Sequence, residues 1–255
     1  MLSSYLTDER QELWRSGTVA VYRVHSSGGS CSVLRVLTPS SPRDAFLRET
    51  TLLRELTHPH IVPLLEAGDA EGTLYQVHPD IDGTLEKRLQ EAGRLGTSEA
   101  MGITRRIGEA LAYLHRRGLV HCNVTPAAIW FLSGQPILSK FELATAAGTL
   151  VTTPQGTPAY MSPEQARRGE RIDARMDIYA LGMVLYEMLA GTRPYSRPLG
   201  DRRVGSDRGR SMRPLEEAAP PVPEPLQAVV RQAVAEALPD RFATMELFLG
   251  ALAAV

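Results

Sequence analysis

Residues that could do chemistry are concentrated in two short stretches of this chain. The first, HCNVTPAAIW, covers positions 121–130, and the second, SKFELA, covers positions 139–144. Together they offer a thiol, an amide, a cation and a carboxylate. The amide of Asn123 cannot take up a proton at ordinary pH, so it cannot act as a general base. Cys122 is interpreted as a buried, inert thiol, with a redox switch as the alternative.

The composition limits the class of protein. Of the 255 residues, 43% are apolar and 22% are charged, which is typical of a globular protein with a sizeable core. The formal net charge of -1 gives no electrostatic reason to expect nucleic acid or an acidic membrane as a partner. The two cysteines, Cys31 and Cys122, are too few for a disulfide framework, which favours a reducing compartment.

Neither a secretion signal nor a membrane span is predicted. Acidic residues occur early, at Asp8, Glu9 and Glu12, where a signal peptide would have an apolar segment. The most apolar stretch, IYALGMVLYEMLAG, includes Glu187. It is about 14 residues long, against the ~20 that a bilayer requires, so it predicts a buried helix. We therefore expect a cytoplasmic protein.

The elements that must position the chemical groups change type near residue 80. Before it, runs rich in β-branched residues alternate with turn-like sequences, which predicts an antiparallel sheet. These runs are TVAVYRV, CSVLRVL, HIVPLLEAG and TLYQV. One helix interrupts them, and its apolar face recurs at three- and four-residue steps. That face consists of Phe46, Thr50, Leu53 and Leu56.

After Gly83 the pattern predicts helices. Ser98 is a candidate N-cap for a helix that Gly118 closes. Its apolar face consists of Ile103, Ile107, Ala110, Leu111 and Leu114. A second helix, over residues 178–189, is apolar around most of its circumference and is therefore expected at the centre. PEPLQAVVRQAVAEAL and ATMELFLGALAA predict two more.

A segment of unusual composition lies between Ser196 and Arg213. Its sequence, SRPLGDRRVGSDRGRSMR, has six arginines and no apolar periodicity. We interpret it as a surface loop; a docking patch for an acidic partner is the alternative.

Two long blocks resemble bacterial serine/threonine protein kinases. GTPAYMSPEQARRGERIDARMDIYALGMVLYEMLAGTRPY is similar to the end of the family's activation segment and the helix that follows it. FLRETTLLRELTHPHIVPLLEAG resembles the helix and following strand of the small lobe. The resemblance covers roughly residues 13–250. It implies one α+β domain over residues 1–255, with a small antiparallel β lobe carrying one helix (about 1–80) and a larger, mainly α-helical lobe (about 81–255).

The resemblance implies structural roles for several side chains. Glu164 would pair with Arg241, and Asp177 would accept backbone N–H bonds from the loop at 121–123. Glu49 would stand at the position of an ion pair. Four further side chains would stack in a row, namely His121, Phe141, Leu53 and Leu64.

The resemblance also identifies catalytic positions that carry other residues. Phosphoryl transfer in the family uses a lysine on the phosphates, two metal ligands and an aspartate that faces the acceptor hydroxyl. Arg35 replaces that lysine, and a purely structural pair with Glu49 is the simpler interpretation. Asn123 replaces the aspartate. The remaining exchanges are Thr125 for a second lysine, and Ala128 and Lys140 for the metal ligands.

The nucleotide cleft implied by the resemblance is altered as well. Its positions are Val21, Val33, Arg35, Glu49, His78, Ile81 and Trp130. Val33 and Trp130 are predicted to fill the adenine slot, because an indole alone buries up to ~250 Å². Alternatively, Trp130 turns aside and leaves a usable slot. We expect no cofactor and no metal, and ATP binding is not favoured. Any nucleotide would bind without metal, its phosphates neutralised by Arg35 and Lys140.

These exchanges lead to three functional hypotheses. The preferred prediction is a pseudokinase, which is not an enzyme but docks a protein such as an active kinase or its substrate. The alternative is a weak or atypical serine/threonine protein kinase, or another nucleotide-dependent transferase, in which Glu142 or Asp80 takes over. The third hypothesis is a sensor with a non-nucleotide ligand.

Overall fold

The computed structural model describes residues 10–25, 31–39, 41–193, 213–218 and 222–255. The arginine-rich segment therefore lies outside the described residues except for Arg213. Contacts divide the chain into two compact units. Unit 1 comprises Met1–Gly83 and Trp130–Glu142, and unit 2 comprises Thr84–Ile129 and Leu143–Val255. The first is a small antiparallel β unit with one long helix and the second is mainly helical, which confirms the predicted α+β class.

Unit 1 is built on a five-stranded antiparallel sheet. Its strands are β1 Gln11–Arg15, β2 Val19–His25, β3 Cys31–Leu37, β4 Glu66–Ala70 and β5 Thr73–Pro79. Their spatial order is β1-β2-β3-β5-β4. The run HIVPLLEAG, predicted as a strand, is extended only at its end, because β4 begins at Glu66 and Ile61 forms a single bridge to Leu138.

The two faces of this sheet carry different side chains, as the two-residue period of a strand requires. One face holds an apolar cluster of Val24, Leu34, Tyr75 and Val77. Positions of the opposite parity in β3 and β5 include Arg35 and Gln76, which are cross-strand partners, and Val33 and His78, which are also partners. The sheet thus brings a cation, an amide and an imidazole together on one face.

In the described part of unit 1, one long helix and a hairpin accompany the sheet. Helix α1, Arg43–Glu55, buries Phe46, Glu49, Thr50 and Leu53, which follow the predicted helical spacing. Strands β8, Ile129–Leu132, and β9, Gln135–Leu138, form the hairpin that returns the chain to this unit. Val62 N donates to Leu138 O at 2.9 Å and ties the hairpin to the segment after α1.

Unit 2 is organised around one buried helix. The helices are α2 Leu85–Ala92, α3 Thr97–Arg116, α4 Arg175–Ala190, α5 Leu215–Ala218, α6 Glu224–Ala233 and α7 Met245–Ala253. Helix α4 is buried over most of its length, as its apolar circumference predicted. The prediction of Ser98 as an N-cap is wrong: α3 begins at Thr97 after Gly96, and no side chain caps it.

Short elements connect these helices. β6 is Gly83–Thr84, and β7, Leu119–Val120, pairs with β10, Thr145–Ala146. Gly118, at φ +71°, ends α3 as predicted, since this left-handed conformation favours glycine. Helix α6 is shorter than its predicted stretch, because the chain leaves the helix at Val234.

Candidate active site

A buried polar network occupies the inner face of the sheet in unit 1. Arg35 Nη1 donates to Glu49 Oε1 at 2.9 Å and to Gln76 Oε1 at 2.7 Å. The Arg35 and Glu49 side chains are only 3% and 1% exposed. Glu49 Oε1 also accepts the backbone N–H of Phe141 at 2.9 Å. One carboxylate therefore fixes both the cation and the start of the 141–143 turn.

The network extends through the amide of Gln76. Gln76 Nε2 donates to Thr50 Oγ1 at 2.8 Å, and Thr50 Oγ1 donates to Phe46 O at 2.7 Å. Thr50 therefore links α1 to β5 by a hydrogen bond that is separate from the Arg35–Glu49 ion pair. The sequence reasoning missed Gln76, because β3 and β5 are not consecutive strands and no turn in the sequence sets their register.

The protonation of Arg35 is determined by two carboxylates. Burial disfavours its charge, but the charges of Glu49 and Glu142 outweigh that effect and raise the pKa of Arg35. The guanidinium is therefore a permanent, fixed cation. Glu142 is half-buried, and among the described residues its Oε2 atom has no hydrogen-bond partner.

His78 and Trp130 are neighbours in the interior of unit 1. Both are fully buried, and their rings meet edge to face with centroids 5.9 Å apart. Burial, followed by the charge of Arg35, lowers the pKa of His78 to about 4, so the ring is neutral. A neutral imidazole has one N–H, which the 2.8 Å contact from Nδ1 to Pro63 O takes up. His78 Nε2 lies 3.3 Å from Gln76 Oε1. In this tautomer Nε2 carries no proton, so the contact is not a hydrogen bond.

The other cleft positions of unit 1 are apolar. Val21, Val33 and Ile81 are all buried. Trp130 Nε1, Arg35 Nε and Glu49 Oε2 are buried atoms with no hydrogen-bond partner in the described part of the chain. The expectation that Val33 and Trp130 fill the adenine slot stays a prediction.

Lys140 has a conformation and a contact that the sequence reasoning did not anticipate. Its backbone is in the left-handed region at φ +61°, which is uncommon for a residue with a side chain. Its Nζ lies 4.8 Å from the centre of the Trp14 ring on β1, a cation–π contact. Asp80, one of the two substitute carboxylates considered above, is occupied by Arg23, whose Nε donates to Asp80 Oδ1 at 2.8 Å.

The stretch linking β1 and β2, Ser16 to Thr18, forms a tight hairpin turn. Ser16 N donates to Val19 O at 2.8 Å, and Ser16 Oγ accepts the N–H of Val19 at 3.0 Å. The side chain of Ser16 is thus occupied by its own turn.

In unit 2 a buried aspartate holds the loop at 121–123. Asp177 accepts the N–H groups of His121 at 2.8 Å and Cys122 at 2.9 Å. His115 Nε2 donates to the same carboxylate at 2.9 Å. Burial opposes ionisation of Asp177, but these bonds and the neighbouring imidazoles lower its pKa, so the carboxylate is charged. The loop backbone is therefore fixed by a single anion.

The side chains of this loop have mainly local partners. Asn123 Oδ1 accepts the hydroxyl proton of Thr157 at 2.9 Å. Thr125 Oγ1 caps the short 126–128 turn by accepting the N–H of Ala128 at 3.2 Å. Ala128 is fully buried. Burial and the charge of Asp177 raise the pKa of Cys122, so its thiol stays protonated.

A second buried ion pair lies elsewhere in unit 2. Arg241 donates in a fork to both oxygens of Glu164, at 2.7 and 2.9 Å. The same guanidinium donates to the carbonyl oxygens of Ala235, Glu236 and Arg175. This ion pair therefore joins three separate segments of unit 2.

The row of side chains expected to stack is distributed over both units. Leu53, Leu64 and Phe141 belong to unit 1, and His121 belongs to unit 2. His121, Leu53 and Phe141 are buried, and Leu64 is half-buried. His121 Nδ1 accepts the N–H of Asn123 at 3.2 Å.

The described residues contain neither a candidate metal-binding cluster nor a membrane-spanning helix. No group of three or more His, Cys, Asp or Glu side chains in the described ranges could hold a metal ion. No helix in the same part of the chain is long and apolar enough to cross a membrane.

Comparison with known proteins agrees with this architecture. Residues 17–247 match the protein kinase domain. The probable serine/threonine-protein kinase PknB of Lactococcus lactis is 30% identical over 92% of this chain and 40% of its own length. The tyrosine-protein kinase MasK of Myxococcus xanthus is 32% identical, covering 82% of this chain and 35% of its own. The serine/threonine-protein kinase PknB of Mycolicibacterium smegmatis is 36% identical over 78% of this chain and 34% of its own length. The chain thus spans well under half the length of these relatives.

The prediction that this chain is not an enzyme is contradicted by these comparisons. The relatives are named protein kinases at 30–36% identity, which points to a kinase enzyme. The prediction treated the exchange of several groups as the loss of activity. Removing a general base, however, costs about 10²–10⁴ in rate, which slows a reaction without abolishing it.

The sequence match, the β unit with its single helix and the anchored loop of unit 2 lead to the same assignment. The family match covers nearly the whole chain, and it includes Arg35, Glu49, Asp177 and Arg241. This chain belongs to the protein kinase domain family.

Proposed function

We propose that this chain is an atypical protein-kinase-type phosphotransferase. It would move the γ-phosphoryl group of a nucleoside triphosphate onto a hydroxyl of a protein, slowly compared with enzymes that have the full set of catalytic groups. The bond from the γ-phosphorus to the bridging oxygen breaks and a bond to the acceptor oxygen forms. The acceptor's proton passes to a phosphoryl oxygen or to water, because the amide of Asn123 cannot hold it.

The observation that carries the proposal is the buried pair of Arg35 and Glu49. A cation held at 2.9 Å on a carboxylate, with that carboxylate also bonded to Phe141 N, is a pre-organised positive charge. Phosphoryl transfer depends mainly on positioning and on the cancellation of charge, and a fixed cation supplies both. A guanidinium also suits the geometry of phosphate oxygens.

Polar atoms without partners in unit 1 support a polar ligand there. In the described part of the chain, Trp130 Nε1 and Arg35 Nε are unused donors, and Glu49 Oε2 and Glu142 Oε2 are unused acceptors. Buried polar atoms are nearly always satisfied, so such a group of exceptions calls for an explanation. A nucleotide or ordered water would provide it.

Asn123 is proposed to orient the acceptor rather than to activate it. Its Oδ1 already accepts one hydroxyl, that of Thr157, at 2.9 Å. An amide oxygen can hold an acceptor hydroxyl in the same way, and phosphoryl transfer depends largely on such positioning. The absence of a base at this position then costs about 10²–10⁴ in rate.

The residues at the metal positions do not fit Mg²⁺, which the family's chemistry uses. Mg²⁺ prefers oxygen ligands, whereas these positions carry the methyl group of Ala128 and the ammonium of Lys140. We therefore propose that Lys140 and Arg35 neutralise the phosphates directly and that nucleotide binding is independent of metal. No step of the proposed transfer uses a metal ion.

The partner proposed here is the protein substrate that supplies the hydroxyl. Two of the three relatives named above are serine/threonine kinases and one is a tyrosine kinase, so we favour serine or threonine as the acceptor. A cytoplasmic location and the lack of nucleic-acid and membrane partners stay predictions from the sequence.

The test is transfer of label from γ-³²P-ATP to the protein itself and to generic protein acceptors, with EDTA or Mg²⁺. Slow labelling that persists in EDTA, with phosphoserine or phosphothreonine as the product, supports the proposal. Arg35→Met is expected to abolish labelling. The matched control Arg54→Met changes an exposed arginine of α1 and is expected to leave labelling unchanged. Wild-type labelling no greater than that of Arg35→Met contradicts the proposal, and a strict Mg²⁺ requirement contradicts its metal-free form.

A further inference from the structure

We propose that Gln165 is a positioning residue that fastens the segment before it to the loop at 121–123, so that this segment is seated without a phosphoryl group. Gln165 follows directly after Glu164 and is 3% exposed. Its role is inferred from unit 2 alone and does not depend on catalytic activity. We call residues 147–157 the activation segment.

One amide group spans the two parts. Gln165 Nε2 donates to Cys122 O at 2.7 Å and to Gln155 O at 2.6 Å. A carboxamide nitrogen has two protons, so both bonds form at once. Asp177 already holds the N–H of Cys122, and Gln165 holds its carbonyl oxygen. Cys122 is therefore held through both its N–H group and its carbonyl oxygen.

Gly156 makes the close approach of the two parts possible. Its φ is +131°, a conformation that a residue with a side chain rarely adopts. A Cβ atom at this position would lie 2.8 Å from Gln165 Nε2 and 3.3 Å from Cys122 O. The hydrogen bonds of Gln165 therefore require a residue without a side chain at position 156.

Other hydrogen bonds hold the rest of the activation segment. Val151 N donates to Glu170 O at 2.8 Å and Gly148 N donates to Ile172 O at 2.7 Å. At the far end Thr157 Oγ1 donates to Asn123 Oδ1.

The side chain of the loop itself cannot receive a phosphate. Cys122 offers no positive charge, because a thiol is either neutral or anionic. Burial and the charge of Asp177 raise its pKa, so the thiol is neutral. A phosphoryl group binds to proteins through cations and N–H donors. Gln165 connects the loop and the segment through hydrogen bonds between uncharged groups.

The experiment is hydrogen exchange, followed by mass spectrometry, on peptides covering residues 150–161. Protein from phosphatase-treated preparations, verified as unphosphorylated by its intact mass, is expected to keep these amides as protected as in untreated protein. Gln165→Met keeps the length of the side chain and removes both protons. It is expected to speed exchange there about tenfold, as for the loss of one or two hydrogen bonds. The matched control Gln227→Met loses one bond, to Val222 O, and leaves these peptides unchanged.

A second variant separates positioning from general packing. Gln165→Glu places a carboxylate against two carbonyl oxygens at pH 7.5, so protection is lost. At pH 5 and below, the protonated acid can donate one proton, and part of the protection returns after correction for the intrinsic exchange rate. Gln165→Met does not recover at any pH. Gly156→Ala is expected to give the same loss as Gln165→Met, because its methyl group displaces the amide.

Three results would overturn the proposal. The first is rapid exchange of residues 150–161 in the unphosphorylated wild type. The second is unchanged protection in both Gln165→Met and Gly156→Ala. The third is identical behaviour of Gln165→Glu and Gln165→Met at every pH. Each readout is independent of phosphoryl transfer, so failure here is distinguishable from failure of the proposed function.

Discussion

Replacing Glu164 by glutamine is expected to destabilise the protein strongly, because Arg241 would remain buried without its anion. The carboxylate accepts two bonds from the guanidinium, at 2.7 and 2.9 Å, and the arginine side chain is fully buried. Glutamine has the same shape but is neutral, and its NH₂ group would face other donors. Breaking a buried pair from one side costs about 3–5 kcal/mol. At roughly 2–4 °C per kcal/mol for a chain of this size, the Tm falls by about 6–20 °C.

The assay is urea unfolding followed by circular dichroism, with thermal unfolding as a second measure. The matched control is Glu246→Gln, which breaks the exposed pair with Arg116 and costs less than about 1 kcal/mol. In a double-mutant cycle, Glu164→Met with Arg241→Met should cost less than the sum of the single changes. A loss for Glu164→Gln no larger than that for Glu246→Gln would refute the reasoning.

Three further predictions follow from single side chains. His78→Met should flatten the acid side of the stability profile. Since the native pKa of His78 is lowered to about 4 from 6.5, the unfolded chain binds the extra proton first, and about 3 kcal/mol is lost as the pH falls from about 6.5 to 4. Cys31, half-exposed, should react with iodoacetamide at least about tenfold faster than Cys122, which is buried and has a raised pKa. Gly182→Ala should cost about 1–3 kcal/mol, because its methyl carbon would lie 2.7 Å from Ala233 Cβ.

Each of these has a clear contradicting result. Unfolding free energies of His78→Met and wild type that run parallel between pH 4 and 7 would exclude the depressed pKa. Equal labelling of the two cysteines in the native protein would place the Cys122 thiol at the surface. If Gly182→Ala left the Tm unchanged, helices α4 and α6 would be able to move apart at little cost in free energy.

Much of the fold could be predicted from local sequence signals. The spacing of Phe46, Thr50 and Leu53 predicted the buried face of α1, because the helical period and the side-chain types agreed there. Most strands of the sheet were predicted because runs of β-branched residues are bounded by turn-like sequences. The start of α3 was placed wrongly, because serine is a preferred N-cap residue and Ser98 was chosen for that reason. The helix begins one residue earlier, at Thr97, and its N-cap Gly96 has no side chain to cap it.

The site could be predicted only in part. The types of Arg35, Asn123 and Lys140 could be read directly, but their partners could not. Lys140 contacts Trp14, which is far from it in the sequence. Gln165 donates to two backbone carbonyl oxygens, and one of them, Cys122 O, is also far away in the sequence. A sequence pattern has no signal for such contacts. The inference of inactivity failed for another reason, since it took the combined exchange of several catalytic groups as the loss of all activity.

The most direct test of the central claim is the rate of γ-phosphoryl transfer by wild type compared with Asn123→Asp. A carboxylate at this position supplies the missing base without changing the size of the side chain. Measured with γ-³²P-ATP on protein free of other kinases, transfer should be slow but above that of Arg35→Met in wild type and about 10²–10⁴ faster in Asn123→Asp. No transfer by either protein would contradict the claim that this chain is a phosphotransferase.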